Sequence, residues 1–163
     1  MNELTFEVKE FIEDNISLIE DKAWDQIYDN TRFTLDSDST GKFTEVMLSI
    51  GEDPLDRLDY IPDYYLSGAN IETFNIPEHI TLLAEGCFSY SNIKEIVIPS
   101  SVTTIAMYVF YECPLLKRVT IPESVTSIED KAFYFYEGII VCKKGSYAEQ
   151  FAINCDIEVE YYQ

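Results

Sequence analysis

The chain has 163 residues, a length that suits one domain, or one domain with a capping segment, and that can bury a real hydrophobic core. Its charge is strongly negative, with 30 Asp and Glu residues against 11 Lys and Arg, for a net charge of −19. Because nucleic-acid backbones and anionic membrane faces would repel such a surface, the composition argues against direct binding to either.

The first 41 residues have the apolar spacing of amphipathic helices. One face of the first predicted helix holds Phe11, Ile12, Ile16 and Ile19. A second short helix is expected to start near Asp21 as its N-cap and to carry Trp24. Residues 34–42 have the composition of a turn-rich loop. The sequence therefore predicts a helical N-terminal cap over 1–41 and a second domain over 42–163.

The N-terminus has no basic segment, apolar core or cleavage site of a signal peptide, and no apolar stretch approaches the roughly 20 residues of a membrane span. We therefore expect a cytoplasmic protein. Its four cysteines are then expected to be reduced thiols, at least two of them buried, although an even count also allows two disulfides.

Three dipeptides mark an internal repeat: Ile76-Pro77, Ile98-Pro99 and Ile121-Pro122, at spacings of 22 and 23 residues. Each follows a short β-rich run, and each precedes an aliphatic anchor and then a phenylalanine. The anchors are Leu83, Ile105 and Ile128, and the phenylalanines are Phe88, Phe110 and Phe133. The pattern predicts stacked turns with parallel strands and the phenylalanines in the core. A degenerate upstream unit, with a strand over 43–48 and an insertion over 51–59, brings the expected solenoid to about four turns.

The segment from Leu116 to Phe133 reads Leu-x-x-Val-x-Ile-Pro-x-Ser-Val-Thr-x-Ile-x-x-x-Ala-Phe with little deviation. It resembles the BspA-like (Treponema-type) leucine-rich repeat, and the resemblance covers about residues 43–163. It implies an α/β leucine-rich-repeat solenoid that binds proteins and is not an enzyme. Known members of the family include surface adhesins, and small leaderless members look like proteins carried by phages and mobile elements.

A strand–helix–strand arrangement from about residue 138 is expected to close the C-terminal end. Ser146 and Glu149 have the spacing of a capping box, so a helix should begin at Tyr147. We expect Cys155 to pack beneath this closure.

The sequence contains no strong catalytic or metal-binding motif. His79 is the sole histidine and occupies the position of Ser101 and Ser124 in the later repeats, so it is interpreted as a solvated turn residue. The chain has no Cys-x-x-Cys pair and no EF-hand pattern. No catalytic residue, cofactor or metal is predicted.

Two sets of residues are candidates for binding a partner. Residues 1–63 carry 17 acidic and 5 basic side chains, against 13 and 6 in residues 64–163. The first set comprises acids of the more acidic half: Glu52, Asp53, Asp56 and Asp59. The second set comprises tyrosines after the repeated phenylalanine: Tyr90, Tyr108, Tyr111, Tyr134 and Tyr136. Simple solubility and packing between turns are the alternatives for the two sets.

These candidates lead to two functional hypotheses. The first is that the protein mimics a nucleic-acid backbone and inhibits a basic nucleic-acid-binding protein, such as a host defence nuclease in the manner of an anti-CRISPR protein. The second is an adhesin-like or scaffolding module that recognises a folded protein or a glycan through its strand face, where Asn75, Val97 and Thr120 point outward.

Overall fold

A computed structural model describes residues 4–162 of the chain. Its helices are α1 (Phe6–Asp14), α2 (Ile16–Glu20), α3 (Trp24–Thr34), α4 (Ser37–Ser49) and α5 (Tyr147–Asn154), with a 3₁₀ helix at Pro54–Arg57. The strands are β1 (Tyr60–Ile61), β2 (Leu82–Leu83), β3 (Glu95–Val97), β4 (Thr104–Ile105), β5 (Arg118–Thr120), β6 (Ser127–Ile128), β7 (Ile139–Cys142) and β8 (Glu158–Tyr161).

The repeats stack into a parallel solenoid of about five turns, one more than predicted. One sheet has the order β1-β2-β4-β6 and the other β3-β5-β7-β8, and every pairing is parallel. The aliphatic anchors of the sequence pattern are therefore a second strand in each turn. Ile61, Leu83, Ile105 and Ile128 align in consecutive register, with steps of 22, 22 and 23 residues.

The phenylalanines of the repeat fill the middle of the solenoid, as predicted. Phe88, Phe110 and Phe133 are all buried. The ring of Phe110 stacks on Phe88 at 5.9 Å between centroids and lies 4.9 Å from Phe133. Side chains in the strands alternate as expected: Ile96 and Ile98 are buried while Val97 between them is exposed.

The β-rich run at 71–76 forms no regular strand, unlike its counterparts in β3 and β5. It lies in the first turns, where the preceding chain is helical and offers no strand to pair with. Phe74 instead contacts the rings of Tyr65 and Phe88, at 6.1 and 5.6 Å between centroids.

Between Phe6 and Ser49 the chain is mainly helical, and two predictions about this region are wrong. The expected loop at 34–42 and the expected strand at 43–48 together form most of α4. The carboxylate of Asp36 accepts a hydrogen bond from the backbone N–H of Ser39 at 2.8 Å and so begins this helix. Asp21 ends α2 rather than beginning α3, whose N-cap is Ala23. The division of the chain into two domains at 41/42 stays a prediction. Helix α4 spans this position.

Helix α4 approaches the first turn of the solenoid very closely at Gly41. A Cβ atom at this position would lie 1.6 Å from the carbonyl oxygen of Ser67. Two residues further along, Phe43 contacts the ring of Phe11 at 5.4 Å between centroids. Glycine is therefore required at this contact between the cap and the repeats.

The C-terminal closure is confirmed as strand, helix and strand. The hydroxyl of Ser146 accepts a hydrogen bond from the N–H of Glu149 at 3.3 Å, and α5 begins at Tyr147. Cys155, which we expected beneath this closure, is exposed, because it follows α5 as its C-cap. All four cysteines are free, and Cys87, Cys113 and Cys142 are buried.

Candidate protein-binding surface

Aromatic side chains from three consecutive turns meet on the outside of the solenoid, on the turns that follow the anchor strands. We call this group the aromatic surface: Tyr90, Tyr108, Tyr111, Tyr134 and Phe135. Tyr111 is its centre, with ring centroids 5.1 Å from Tyr90, 5.4 Å from Tyr108 and 6.0 Å from Tyr134. Tyr134 and Phe135 lie 4.3 Å apart and are 47% and 61% exposed.

The backbone of these turns has two left-handed positions in every repeat. The first position holds Tyr64, Gly86, Tyr108 and Lys131 and the second holds Gly68, Tyr90, Glu112 and Phe135, with φ between 46° and 68°. A side chain other than glycine is disfavoured in this conformation, and such residues concentrate at functional sites. Because these positions recur in every repeat and mostly hold side chains other than glycine, the left-handed conformation belongs to the repeat and does not by itself mark Tyr90 and Tyr108 as functional.

The aromatic surface continues into a groove beside the N-terminal cap. The groove has a volume of about 510 Å³, and the start of α4 forms one wall through Leu35, Asp36 and Ser37. The repeats form the other wall. Its lining residues there are Tyr64, Ser89, Tyr90, Tyr108, Tyr111 and Tyr134.

Charged groups lie directly against these rings. The pKa of Tyr111 is raised, first by a hydrogen bond to the Glu112 carboxylate and then by one to Tyr90. The ammonium group of Lys131 lies 5.8 Å from the centroid of the Tyr108 ring and 3.4 Å from its hydroxyl. The surface thus presents aromatic faces next to carboxylates.

The structure brings together four of the five predicted tyrosines. Tyr136 is only 9% exposed, and its hydroxyl donates a hydrogen bond to the carbonyl of Ile139 at 2.9 Å. Its ring packs on Phe133 at 5.4 Å between centroids. Tyr136 is therefore a core residue and does not line the surface, in contrast to its sequence neighbours Tyr134 and Phe135.

The predicted acids do not lie on the aromatic surface. They lie within or next to the 3₁₀ helix in sequence, and none of them lines the groove. The carbonyl of Leu55 in this helix lies 2.7 Å from Nε2 of His79. Asp53 accepts hydrogen bonds from the N–H of Leu55 and the hydroxyl of Tyr65.

The remaining three predicted acids differ in whether their carboxylates are paired with a group of the same chain. Glu52 forms an ion pair with Lys22 at 2.6 Å. Asp56 and Asp59 are exposed. Two of the four acids therefore have local structural roles, and two present their carboxylates to solvent.

A different group of acids, only partly predicted, surrounds Tyr60 on β1. Burial raises the pKa of the Tyr60 hydroxyl, and the negative charges of nearby carboxylates raise it further. Asp29 and Asp63 line a small pocket together with Tyr60, and the charges of Asp25 and Asp59 also act on its hydroxyl. We call these four residues the acidic cluster. Asp25 and Asp29 are one turn apart on α3, so docking of the cap on the first repeat brings them to Asp59 and Asp63.

The acidic cluster and the aromatic surface are linked through side chains. The guanidinium of Arg32 contacts Asp63 at 3.0 Å and Glu85 at 4.0 Å. Glu85 in turn accepts a hydrogen bond from the hydroxyl of Tyr64 at 2.8 Å, and Tyr64 lines the groove. Charge and aromatic area therefore form one continuous region.

The pKa of Asp63 is raised by burial, an effect that Arg32 partly offsets.

The composition of the sequence does not indicate the acidic cluster, because its members come from α3 and from the start of the solenoid. The i, i+4 spacing of Asp25 and Asp29 is the one sequence signal for the cluster. This spacing does not show that α3 docks beside Asp59 and Asp63.

The strand face of the second hypothesis carries charges that are paired within the chain. Lys94 contacts Glu72 at 2.7 Å, and Arg118 contacts Glu160 at 2.8 Å. Val97 is the large exposed apolar side chain of this face. Such a mixed surface offers less apolar contact area than the aromatic surface.

The described residues, 4–162, contain no group of three or more His, Cys, Asp or Glu side chains arranged to hold a metal ion. Within the same range, no helix has the length and apolar character to span a membrane. His79 is exposed, as predicted for a turn residue.

Comparison with known proteins identifies the repeat. A search of curated proteins and of solved structures finds no match to this chain. The family model for the BspA type leucine rich repeat region matches residues 54–144 in six copies, which cover the stacked turns described above. Leucine-rich repeats of this kind commonly mediate protein–protein interaction and are typically non-catalytic. The chain belongs to the BspA-type leucine-rich repeat family.

Proposed function

We propose that this protein binds a basic protein partner through the aromatic surface and the adjoining acidic cluster, and that the partner is a nucleic-acid-binding protein which it inhibits. The observation that carries the proposal is the continuity of the two regions through Arg32, Glu85 and Tyr64. Tyrosine provides large contact area at low entropic cost and is enriched among the residues that dominate binding energy.

Charge supports the choice of a basic partner. The net charge of −19 attracts a positively charged surface over a distance of about one Debye length, roughly 8 Å at physiological salt. A groove that binds nucleic-acid backbones is strongly basic, and an acidic protein can occupy it in place of the nucleic acid. In this proposal Asp56 and Asp59 add to the attraction, while the tyrosines determine the contact.

The buried free thiols support a reducing compartment for this interaction. Cys87, Cys113 and Cys142 are buried without forming disulfides. Free thiols are typical of proteins in the cytoplasm. We therefore place the interaction, as part of the proposal, in the cytoplasm.

The proposal is tested by capturing proteins from host lysate at low and high salt, with and without competing duplex DNA. We expect a nucleic-acid-binding protein that is released by salt or by DNA, since a backbone mimic competes for the same basic groove. Purified partner then allows its nucleic-acid binding to be measured with and without this protein. A captured protein that persists in high salt and does not bind nucleic acid would contradict the proposal.

A charge-matched pair of triple variants locates the interaction. The test variant neutralises Asp25, Asp29 and Asp59 to Asn. The control variant neutralises Glu10, Glu13 and Asp14 of α1, which are exposed, and removes the same number of charges. We expect the test variant to weaken inhibition about tenfold and the control to weaken it much less, because charges next to the interface act most strongly. Equal effects of the two variants would show that only net charge matters.

A further inference from the structure

We infer that the groove of the aromatic surface accepts arginine side chains, in preference to lysine, from a basic segment of the partner. This inference rests on the proposed function and names the chemistry that the surface recognises. It follows from the tyrosines of the groove and the carboxylates beside them, and from a cation that the protein places next to one of these tyrosines.

The internal cation is Lys131. Its ammonium group lies 5.8 Å from the centroid of the Tyr108 ring and donates a hydrogen bond to the Tyr108 hydroxyl at 3.4 Å, so the charge lies at the hydroxyl edge of the ring. Tyr108 is packed edge-on against Tyr111 at an angle of 73°, so the two rings present differently oriented faces. One tyrosine of the surface thus already has a positive charge beside it, and the rings of Tyr90 and Tyr134 are about half exposed and open to another cation.

One carboxylate lines the groove, and a second lies beside its central ring. Glu112 is exposed and interacts with the hydroxyl of Tyr111. Asp36 is exposed at the start of α4 and lines the opposite wall. A guanidinium group can stack its plane on a tyrosine while its N–H groups donate to a carboxylate, which a lysine ammonium cannot do in the same geometry.

The length of the groove favours an extended segment over a single side chain. It reaches from Tyr64 through Tyr90 and Tyr111 to Tyr134, which belong to four consecutive turns. Neighbouring turns of a parallel solenoid are separated by about 4.8 Å, so the groove spans about 14 Å. That distance accommodates about four residues of extended chain, enough to place two arginines on the same side.

The test uses three synthetic heptapeptides in which arginine, lysine or alanine alternates with glycine, with binding measured by calorimetry at one salt concentration. The arginine and lysine peptides carry equal charge, so long-range attraction is the same for both. We expect the arginine peptide to bind about fivefold more tightly than the lysine peptide, since stacking adds to attraction. We expect no measurable binding of the alanine peptide.

Variants of Tyr111, the central ring, show where the preference for arginine over lysine arises. Tyr111→Leu should bring the ratio of the two dissociation constants close to one, whereas Tyr111→Phe keeps the ring and should preserve the ratio. Tyr147→Leu, at an exposed tyrosine on α5, is the control and should leave the ratio unchanged. Circular dichroism melts confirm that each variant is folded, and Tyr134→Leu replaces Tyr111→Leu if the latter does not fold.

Equal affinity for arginine and lysine would overturn the inference, as would binding of the alanine peptide or no binding of any peptide. A preference for arginine that survives both Tyr111→Leu and Tyr134→Leu would also overturn it, because the site would then lie elsewhere. In each of these cases the proposed function stands if a salt-sensitive nucleic-acid-binding protein is still captured and inhibited. The two failures are therefore distinguishable.

Discussion

The helical cap and the repeat solenoid differ in how their contacts are distributed along the chain. In the solenoid, each turn repeats the same contact one register further on, so Phe88, Phe110 and Phe133 form a continuous row. In the cap, contacts are individual, such as the close approach of Gly41 to Ser67. A repeated contact can be read from the sequence period, whereas an individual contact depends on how two unlike surfaces meet.

The aromatic groove lies where these two regions adjoin. The repeats supply tyrosines at regular intervals, and the cap supplies the wall formed by Leu35, Asp36 and Ser37. The acidic cluster has the same dual origin, with Asp25 and Asp29 from α3 and Asp63 from the first turns. Both parts of the proposed interface therefore depend on docking of the cap.

The largest effect is expected from removing a ring in the middle of the solenoid. Phe110→Ala leaves a cavity between Phe88 and Phe133 and should lower the free energy of unfolding by about 3–5 kcal/mol. Urea denaturation followed by circular dichroism measures this change. Phe135→Ala, at a ring that is 61% exposed, is the control and should change stability much less. An unchanged denaturation curve for Phe110→Ala would contradict the description of the core.

The next effect concerns the contact between the two regions. Gly41→Ala should favour an isolated helix α4 by about 1 kcal/mol, because alanine is the better helix former. In the folded protein its Cβ meets the Ser67 carbonyl, so we expect a net loss of about 1–3 kcal/mol. Trp24 is the single tryptophan and is only 2% exposed within the cap, so its fluorescence should report this loss.

The matched control for this change is Lys42→Ala, at the neighbouring, half-buried position of the same helix. It should leave the transition of Trp24 fluorescence close to that of the parent chain. A Gly41→Ala variant as stable as the parent would show that α4 does not dock as described.

A smaller and pH-dependent effect is expected from a buried thiol. Burial raises the pKa of Cys113 from 9.0 to about 11, and its thiol donates to the carbonyl of Phe88 at 3.0 Å. Above pH 9 the unfolded chain loses this proton first. The contribution of this thiol to the free energy of unfolding should therefore fall by at most about 1.4 kcal/mol per pH unit up to pH 11.

The measurement compares the parent chain with Cys113→Ala by urea denaturation at several pH values from 8 to 11. The difference in stability between the two should shrink as the pH rises through this window, whereas the exposed Cys155 replaced by Ala should give a smaller trend. A difference that does not change with pH would mean that Cys113 is not buried as described.

The solenoid could be predicted from the sequence because each feature recurs. The proline after each strand and the phenylalanine after each anchor appear in three registers, so the sequence predicts the central row of phenylalanines in the core. The second strand of each turn was identified only as an aliphatic anchor, since two residues are too few to show alternation. The run at 71–76 has the same pattern but lacks a strand on its cap side, which the pattern does not reveal.

The cap could be predicted only as helical. Residues 34–42 are rich in Asp, Ser and Thr, which favour loops and caps because their side chains bond to nearby backbone. Helix α4 forms there because Gly41 and Phe43 pack against neighbours that are distant in sequence. The grouping of Tyr136 with Tyr134 is wrong because residues that are close together in one turn can point in different directions. Tyr134 is exposed, whereas Tyr136 is buried.

The most direct test of the central claim uses two tyrosines of equal exposure. Tyr134 on the aromatic surface and Tyr147 on α5 are both 47% exposed. Affinity for the captured basic protein is measured by calorimetry for Tyr134→Ala and Tyr147→Ala. We predict that Tyr134→Ala weakens binding by about 1–2 kcal/mol, whereas Tyr147→Ala leaves it unchanged. Equal affinities of the two variants would contradict the assignment of the aromatic surface as the interface.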